Sequence, residues 1–330
     1  ALLLSQVSIS FAQEQEATQI VIKFLPGVSE RTQNRLYERF GVEKVDSILG
    51  GKVHVLSVSS QAADTVVKAL SKNKLVEFAE LDVLHELNAL PDDPLIGNQW
   101  YLTKIRAPEA WDIATGSEVI LESAPDTGIR ATHEDLRNNL RMDLSYNAAN
   151  DSDDSSPVHS HGTATAGMIS AEADNSVGIA SAQWADSIHH IPVRVTNLSS
   201  GSASSSNIAK GVEHAADNGA KVISVSYSGV GGSLRRQAGA YARSLGALFF
   251  NSAGNDSGRR DYHGGGNWEE IIAVSSTTSS DTLSSFSSYG PYVDLSAPGS
   301  SDYTTSWSSD TSYSYASGTS FSSPLAGSVA

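Results

Sequence analysis

From about residue 107 onward the chain alternates short apolar runs with amphipathic periods, and this alternation narrows the architecture more than any other property of the sequence. The runs Glu118–Leu121, His190–Val195, Lys221–Tyr227, Ala247–Asn251 and Glu270–Val274 have strand length. Helical periods at Ala107–Ala114, His161–Ala171, Asn207–Asn218 and Ser233–Leu245 separate them. Strands joined through helices need crossover connections, so the expected fold class is α/β, a doubly wound, mostly parallel sheet with helices on both faces. Reactive side chains then belong at the carboxyl ends of strands and at the adjoining helix starts.

Upstream the pattern differs. Between Thr18 and Leu90 the order is strand, helix, strand, strand, helix, strand, which is the split βαβ signature of a small α+β, ferredoxin-like unit. The two prolines of Leu90-Pro91-Asp92-Asp93-Pro94 read as a linker, so a domain boundary is expected near residue 90. Residues 1–15 read as part of a signal peptide: an apolar stretch ends on Ser10-Phe11-Ala12, with small residues where a signal peptidase inspects the chain. Export is therefore expected.

Composition removes several function classes. The net charge is −15, of which −13 falls after residue 90, so sequence-blind binding to nucleic-acid phosphates is not expected. No run of about 18 apolar residues is present, so no membrane span is expected. Without cysteine, neither disulfides, a thiol nucleophile nor a thiolate metal site can form, and a nucleophile must be Ser, Thr, Lys or a carboxylate. Of the 54 serines, 42 lie after residue 150, but apolar strands interleave them, which favours a packed domain over a low-complexity linker.

Three segments on this scaffold carry chemistry: Asp126-Thr127-Gly128 after an apolar strand, His161-Gly162-Thr163 opening a helix, and Gly318-Thr319-Ser320 opening the last one. A hydroxyl is a poor nucleophile at neutral pH. It needs an imidazole to accept its proton and a carboxylate to fix the imidazole's tautomer. Alone, the Asp reads as a turn former and the Ser as a helix cap; the conjunction points to nucleophilic hydrolysis. His263-Gly264-Gly265-Gly266 imitates an esterase oxyanion segment, but no Gly-x-Ser-x-Gly elbow exists and the residue order is inverted for that fold.

The order Asp, His, Ser with these neighbours resembles the subtilisin-like serine proteases. The likeness extends from about Asp92 to Ala330 through Gln99-Trp100, Val177-Gly178-Ile179, Ala253-Gly254-Asn255, Ala297-Pro298-Gly299 and Ser317–Pro324. Residues 16–90 in turn resemble an inhibitor-like propeptide, leaving residues 91–330 as a catalytic domain that ends short of the family's usual length. The resemblance implies a secreted, monomeric endopeptidase acting on protein or peptide substrates, made as a self-processing zymogen whose own propeptide is an intramolecular inhibitor. A catalytically impaired binding or inhibitory module on the same fold is the alternative.

Position by position, the resemblance makes Ser320 the nucleophile, His161 the general base, Asp126 its orienting carboxylate and Asn255 an oxyanion donor. It places an extended substrate between Gly201-Ser202-Ala203 and Ser226-Tyr227-Ser228-Gly229, with Ala253 and Gly254 forming a further wall. It also implies a structural Ca2+ held by Asp93, Asp135, Asn175 and the carbonyls of Ala173, Val177 and Ile179, an all-oxygen set of the kind calcium prefers. The chain departs from the family pattern at Pro125, which removes a backbone N–H beside Asp126, and at Ser160, Ala164 and Phe321–Leu325.

Overall fold

The computed structural model describes residues 17–82, 90–115, 120–184, 188–264 and 267–330. The signal-peptide reading of residues 1–15 lies outside them, as do Gly265 and Gly266 of the glycine run. The chain divides into two compact units, Ala1–Leu87 and Asn88–Ala330.

The first unit runs β1 (Ala17–Phe24), α1 (Glu30–Phe40), β2 (Glu43–Ile48), β3 (Val53–Ser59), α2 (Ala63–Ser71) and β4 (Val76–Leu81). Its sheet has the order β2-β3-β1-β4, antiparallel throughout. Period-2 alternation puts Ile20, Ile22 and Phe24 on the buried face, where they meet Leu36 and Tyr37 of α1 and Val66 and Leu70 of α2. Full burial of each large aliphatic side chain contributes about 1.5–3 kcal/mol. The Tyr37 hydroxyl meets His54 Nδ1 at 2.5 Å, which satisfies both polar atoms inside this core.

The second unit continues with α3 (Trp100–Lys104), α4 (Ala107–Trp111), β5 (Ile120–Ser123), β6 (Tyr146–Asn147), α5 (Ser160–Ser170), β7 (Ile188–His190), β8 (Val193–Arg194), α6 (Ser205–Asp217), β9 (Val222–Val225) and α7 (Ser233–Ser244). There follow β10 (Leu248–Ser252), β11 (Gly258–Arg259), β12 (Ile272–Thr277), β13 (Ser288–Tyr289), β14 (Leu295–Pro298), β15 (Asp302–Thr305), β16 (Tyr313–Ala316) and α8 (Thr319–Val329). Six parallel strands, ordered β14-β12-β10-β9-β5-β7, form the central sheet. Every residue of β9 is buried, the mark of a strand covered on both faces. Val222 and Phe250 pack with Ile169 of α5 on one face; Ile223, Val225 and Phe249 pack with Val212 of α6 and Ala242 of α7 on the other. The chain thus has an α/β core with a mostly parallel sheet and a small N-terminal α+β unit.

Three expectations change. The run His190–Val195 is two strands: β7 belongs to the central sheet, whereas β8 pairs with β6 in a separate ladder. Pro192 stands between them, and with no N–H to donate it breaks the ladder there. The run at Glu118–Leu121 is ordered as Ile120–Ser123, with residues 118 and 119 outside the described set. The acidic pair after Leu90 is anchored within the second unit: Asp93 is buried, and Asp92 accepts from the backbone and hydroxyl of Ser176 at 2.7 and 2.5 Å. Among the described residues, no helix is long and apolar enough to cross a membrane.

Candidate active site

Asp126 leaves the carboxyl end of β5 with its backbone fully paired. Its N–H donates to Val193 O at 3.0 Å, and its carbonyl accepts from Val195 N at 2.8 Å. Pro125 therefore costs only its own donor and leaves Asp126 in register. The carboxylate is 1% exposed, accepts from Thr127 N at 2.7 Å through Oδ1, and presents both oxygens to His161 Nδ1 at 2.9 Å.

His161 lies in the first turn of α5. The N-cap residue His159 accepts the His161 N–H through Nδ1 at 3.2 Å. Thr127 ties this helix start to the Asp126 loop: Oγ1 donates to His159 O at 3.0 Å and accepts from Gly162 N at 2.9 Å. A Cβ at Gly162 would collide with Gly128 O and stand 3.0 Å from Thr127 N, so only glycine lets helix and loop approach this closely. With Nδ1 donating to a carboxylate, the lone pair of the neutral ring is on Nε2. Burial opposes a charge on His161, but the charge and hydrogen bond of Asp126 outweigh it, and the net pKa is raised above the ordinary histidine value.

Ser320 is the second residue of α8, where backbone N–H groups lack intrahelical acceptors. Its Oγ donates to Ser226 O at 3.3 Å, and Ser226 Oγ returns a bond to Ser320 O at 2.8 Å. Ser320 and His161 share the cleft without a hydrogen bond between them. Asn255, in the loop after β10, accepts from Thr319 N and Thr319 Oγ1 through Oδ1, both at 3.0 Å. Those donors fix the amide's orientation, and Nδ2 has no partner among the described residues. Nothing beyond the Thr in Gly318-Thr319-Ser320 signalled this orienting role.

His161, Asn255 and Ser320 line an open cleft of about 440 Å³ together with Gly201, Ser202, Ala203, Ser226, Tyr227, Ser228 and Gly254, and Asp126 is buried next to it. Two residues expected as walls are not among its lining. Ala253 is fully buried and gives its carbonyl to the Tyr292 hydroxyl at 2.9 Å, while Gly229 is exposed and accepts from Gly232 N in the next turn. Thr127, His159, Ser200, Ser252, Asp256 and Thr319 also line the cleft; Thr127 and Thr319 belong to the Asp126 and Ser320 segments, and the other four are not among the expected site residues. His263 lies elsewhere, stacked on Trp268 with ring centroids 4.0 Å apart.

A second polar cluster surrounds Asp135, which is fully buried. Its Oδ1 accepts from Asn175 Nδ2 at 3.0 Å and its Oδ2 from Ile179 N at 2.8 Å. Burial raises its carboxyl to about 7, with the charge of Asp93 adding to the effect. Asp93 Oδ2 accepts from Asp174 N at 2.7 Å, but its buried Oδ1 has no partner. Asn175 Oδ1 is occupied by Val177 N at 2.7 Å. Ala173 and Ile179 are buried within the same loop.

The family model described as the subtilase family matches residues 123–330, and that of the fervidolysin N-terminal prodomain matches residues 15–82. Thermitase of Thermoactinomyces vulgaris is 40% identical over 219 residues, covering 65% of this chain and 75% of that protein. A thermophilic serine proteinase of Bacillus sp. strain AK1 is 31% identical over 285 residues, with coverages of 85% and 69%. Halolysin of Haloferax mediterranei is 33% identical over 274 residues, and the match spans 52% of its length. Among solved structures, a protease of Pseudoalteromonas arctica superposes with a TM-score of 0.63 at 27% identity, over 73% of this chain and 86% of that one. The chain belongs to the subtilase family of serine proteases and carries a prodomain ahead of its peptidase unit.

Proposed function

We propose that the cleft hydrolyses peptide bonds through an acyl-enzyme on Ser320. The observation that carries this reading is the Asp126–His161 pair, held at 2.9 Å in the cleft that also contains Ser320 and the free Asn255 Nδ2. Ser320 Oγ turns from Ser226 O towards His161 Nε2, gives up its proton there and attacks the scissile carbonyl. Such contacts are commonly loose without substrate. Asn255 Nδ2 and the Ser320 N–H receive the developing oxyanion. His161 then returns the proton to the leaving amine, and water repeats the sequence in reverse roles to release the acid. Asp126 holds the ring by its Nδ1 and stabilises the imidazolium. Fluorophosphonate labelling of the full chain tests the reading: modification at Ser320, casein hydrolysis, and loss of both in Ser320→Ala support it. An unlabelled Ser320 in folded protein overturns it in favour of a binding or inhibitory module.

The N-terminal unit acts in this reading as propeptide, folding aid and intramolecular inhibitor, removed near Leu90. Its strand order β2-β3-β1-β4 supports the finer reading of that unit as ferredoxin-like. All proposed catalytic groups lie in one unit, so a monomer suffices. Export is supported by relatives named as extracellular proteases in Xanthomonas campestris and Dichelobacter nodosus.

Calcium binding at Asp93, Asp135 and the 173–179 loop is part of the same proposal. Two buried carboxylates, one with an orphaned oxygen, suit a hard cation. The Asn175 amide, which offers its nitrogen to Asp135, would have to turn to serve as an oxygen ligand. Bound calcium would neutralise the two carboxylates and fix the loop. A chelator should lower the melting temperature of Ser320→Ala protein, with calcium rather than magnesium restoring it; no change overturns this part.

A further inference from the structure

The Tyr227 phenol reaches across the cleft. It rises from the segment after β9, and its hydroxyl donates to Gly201 O at 2.8 Å on the facing segment. Its ring centroid is 6.5 Å from that of His161, so it stands close to the proposed point of cleavage. A substrate side chain directed there meets a closed wall.

Bonded to the residue that follows Tyr227 is a buried cation with no carboxylate partner among the described residues. Arg235, on the first turn of α7, is 6% exposed. It donates to Asn251 Oδ1, and through Nη2 to Ser228 O at 3.5 Å; Asn251 in turn donates to Tyr227 O at 3.3 Å. No carboxylate pairs with it among the described residues, whereas its neighbour Arg236 is paired with Glu270 at 3.1 Å. Burial lowers its pKa only to about 10, so the guanidinium stays charged at neutral pH. The acids on or next to the cleft are engaged elsewhere: Asp126 holds His161, and Asp256 accepts from the Tyr262 hydroxyl at 2.5 Å. A buried charge without a counter-ion favours any carboxylate that can reach it.

We propose that Tyr227 determines side-chain selection in the cleft: its phenol limits the facing substrate residue to a small one and screens Arg235, so that removing it creates a position selective for acidic side chains. The inference rests on the proteolytic reading above. It is tested by profiling cleavage of a mixed peptide library with the full chain and with Tyr227→Ala, and reading kcat/KM for matched peptides that differ at one position upstream of the cut. The wild type is expected to favour Gly, Ala or Ser there. Tyr227→Ala should accept large residues and prefer Glu to Lys by about tenfold or more, the scale of a close, desolvated charge pair. Adding Arg235→Gln should abolish the Glu preference while the wider size range remains. Tyr227→Leu, which keeps apolar volume but cannot bridge to Gly201, should show the same Glu preference at smaller size and serves if the Ala variant does not fold.

An unchanged profile in Tyr227→Ala or Tyr227→Leu overturns the inference, as does broadened size acceptance with Lys and Glu cleaved equally. Fluorophosphonate labelling of the same variants separates the two levels. Labelled protein with an unaltered profile refutes the role of Tyr227 alone, whereas absence of labelling and cleavage in every form, wild type included, refutes the peptidase mechanism.

Discussion

Asp126 and Asp302 are equally hidden from water, at 1% and 0% exposure, yet their surroundings differ completely. Asp126 has Thr127 N and the His161 imidazole around its two oxygens. Asp302, in β15, has no hydrogen-bond partner for either oxygen, and burial pushes its carboxyl up to about 8. Burial alone drives a carboxyl to keep its proton; burial with a cationic or donor partner lets it stay an anion. The first arrangement spends stability without evident return, and the second supports chemistry. The same Asp→Asn substitution at the two positions should therefore have opposite consequences.

The largest effects belong to the Asp126 side. Ser320→Ala or His161→Ala should each reduce kcat by roughly 10^6-fold, and an Asp126 substitution by roughly 10^4-fold, magnitudes whose benchmark is itself a subtilisin. Because the three act as a unit, combining the changes should add little to Ser320→Ala alone. The pH profile of kcat/KM sharpens the comparison. His161 must be neutral to accept a proton and its pKa is raised, so the acid limb should lie above the ordinary histidine range. Asp126→Asn removes the charge that raises it, and the limb of any residual activity should move to lower pH. A limb that stays in place would mean that Asp126 does not set the imidazole's proton affinity.

A smaller loss is expected at Asn255. Replacing it with Ala removes Nδ2 from the oxyanion position and should cost roughly 10²–10³-fold in kcat with KM nearly unchanged, a range also benchmarked on a subtilisin. Asn255 Oδ1 additionally receives Thr319 N and Oγ1, so truncation leaves two donors unpaired at the start of α8. Asn255→Asp separates the roles, because it keeps the acceptor for Thr319 and loses the donor. Comparable kcat losses in both variants assign the effect to the donor; recovery in Asn255→Asp assigns it to positioning of Thr319.

The legible parts of this molecule are those whose physics is local. Asp126, His161 and Ser320 each stand at a strand end or helix start, positions that apolar alternation exposes, and the helix beginning near His161 needs only its own sequence to be recognised. Other features arise from contacts between distant segments. Tyr227 meets Gly201 across 26 positions and Thr319 meets Asn255 across 64, and neither pair has a local signature. Ala253 sits in a segment that does form the cleft, but the fold buries it and gives its carbonyl to the Tyr292 hydroxyl. The β15–β16 hairpin escapes hydropathy because Ser, Thr and Tyr dominate it: its pairing rests on backbone bonds and cross-strand contacts such as Tyr303 opposite Tyr315. Asp302 is hidden for the same reason, since an acid in a polar run reads as solvent-facing.

The smallest of these effects is one of stability and tests the other half of the comparison. An unfolded Asp ionises near pH 4, whereas Asp302 in the folded chain holds its proton to about 8. Between those values the folded state binds more protons than the unfolded state, so this group's contribution to stability is fully present below about pH 4. It declines as pH rises and is exhausted above about pH 8. Asp302→Asn keeps the shape and cannot ionise. In Ser320→Ala protein, which cannot digest itself, the Asn variant should match its parent near pH 4 and exceed it in melting temperature by several degrees at pH 8. Subtracting the two curves cancels every other titrating group, so the difference isolates position 302. A difference that is constant with pH would mean that Asp302 has found a partner or water and remains an anion, in which case Asp126 and Asp302 are two solutions to one problem.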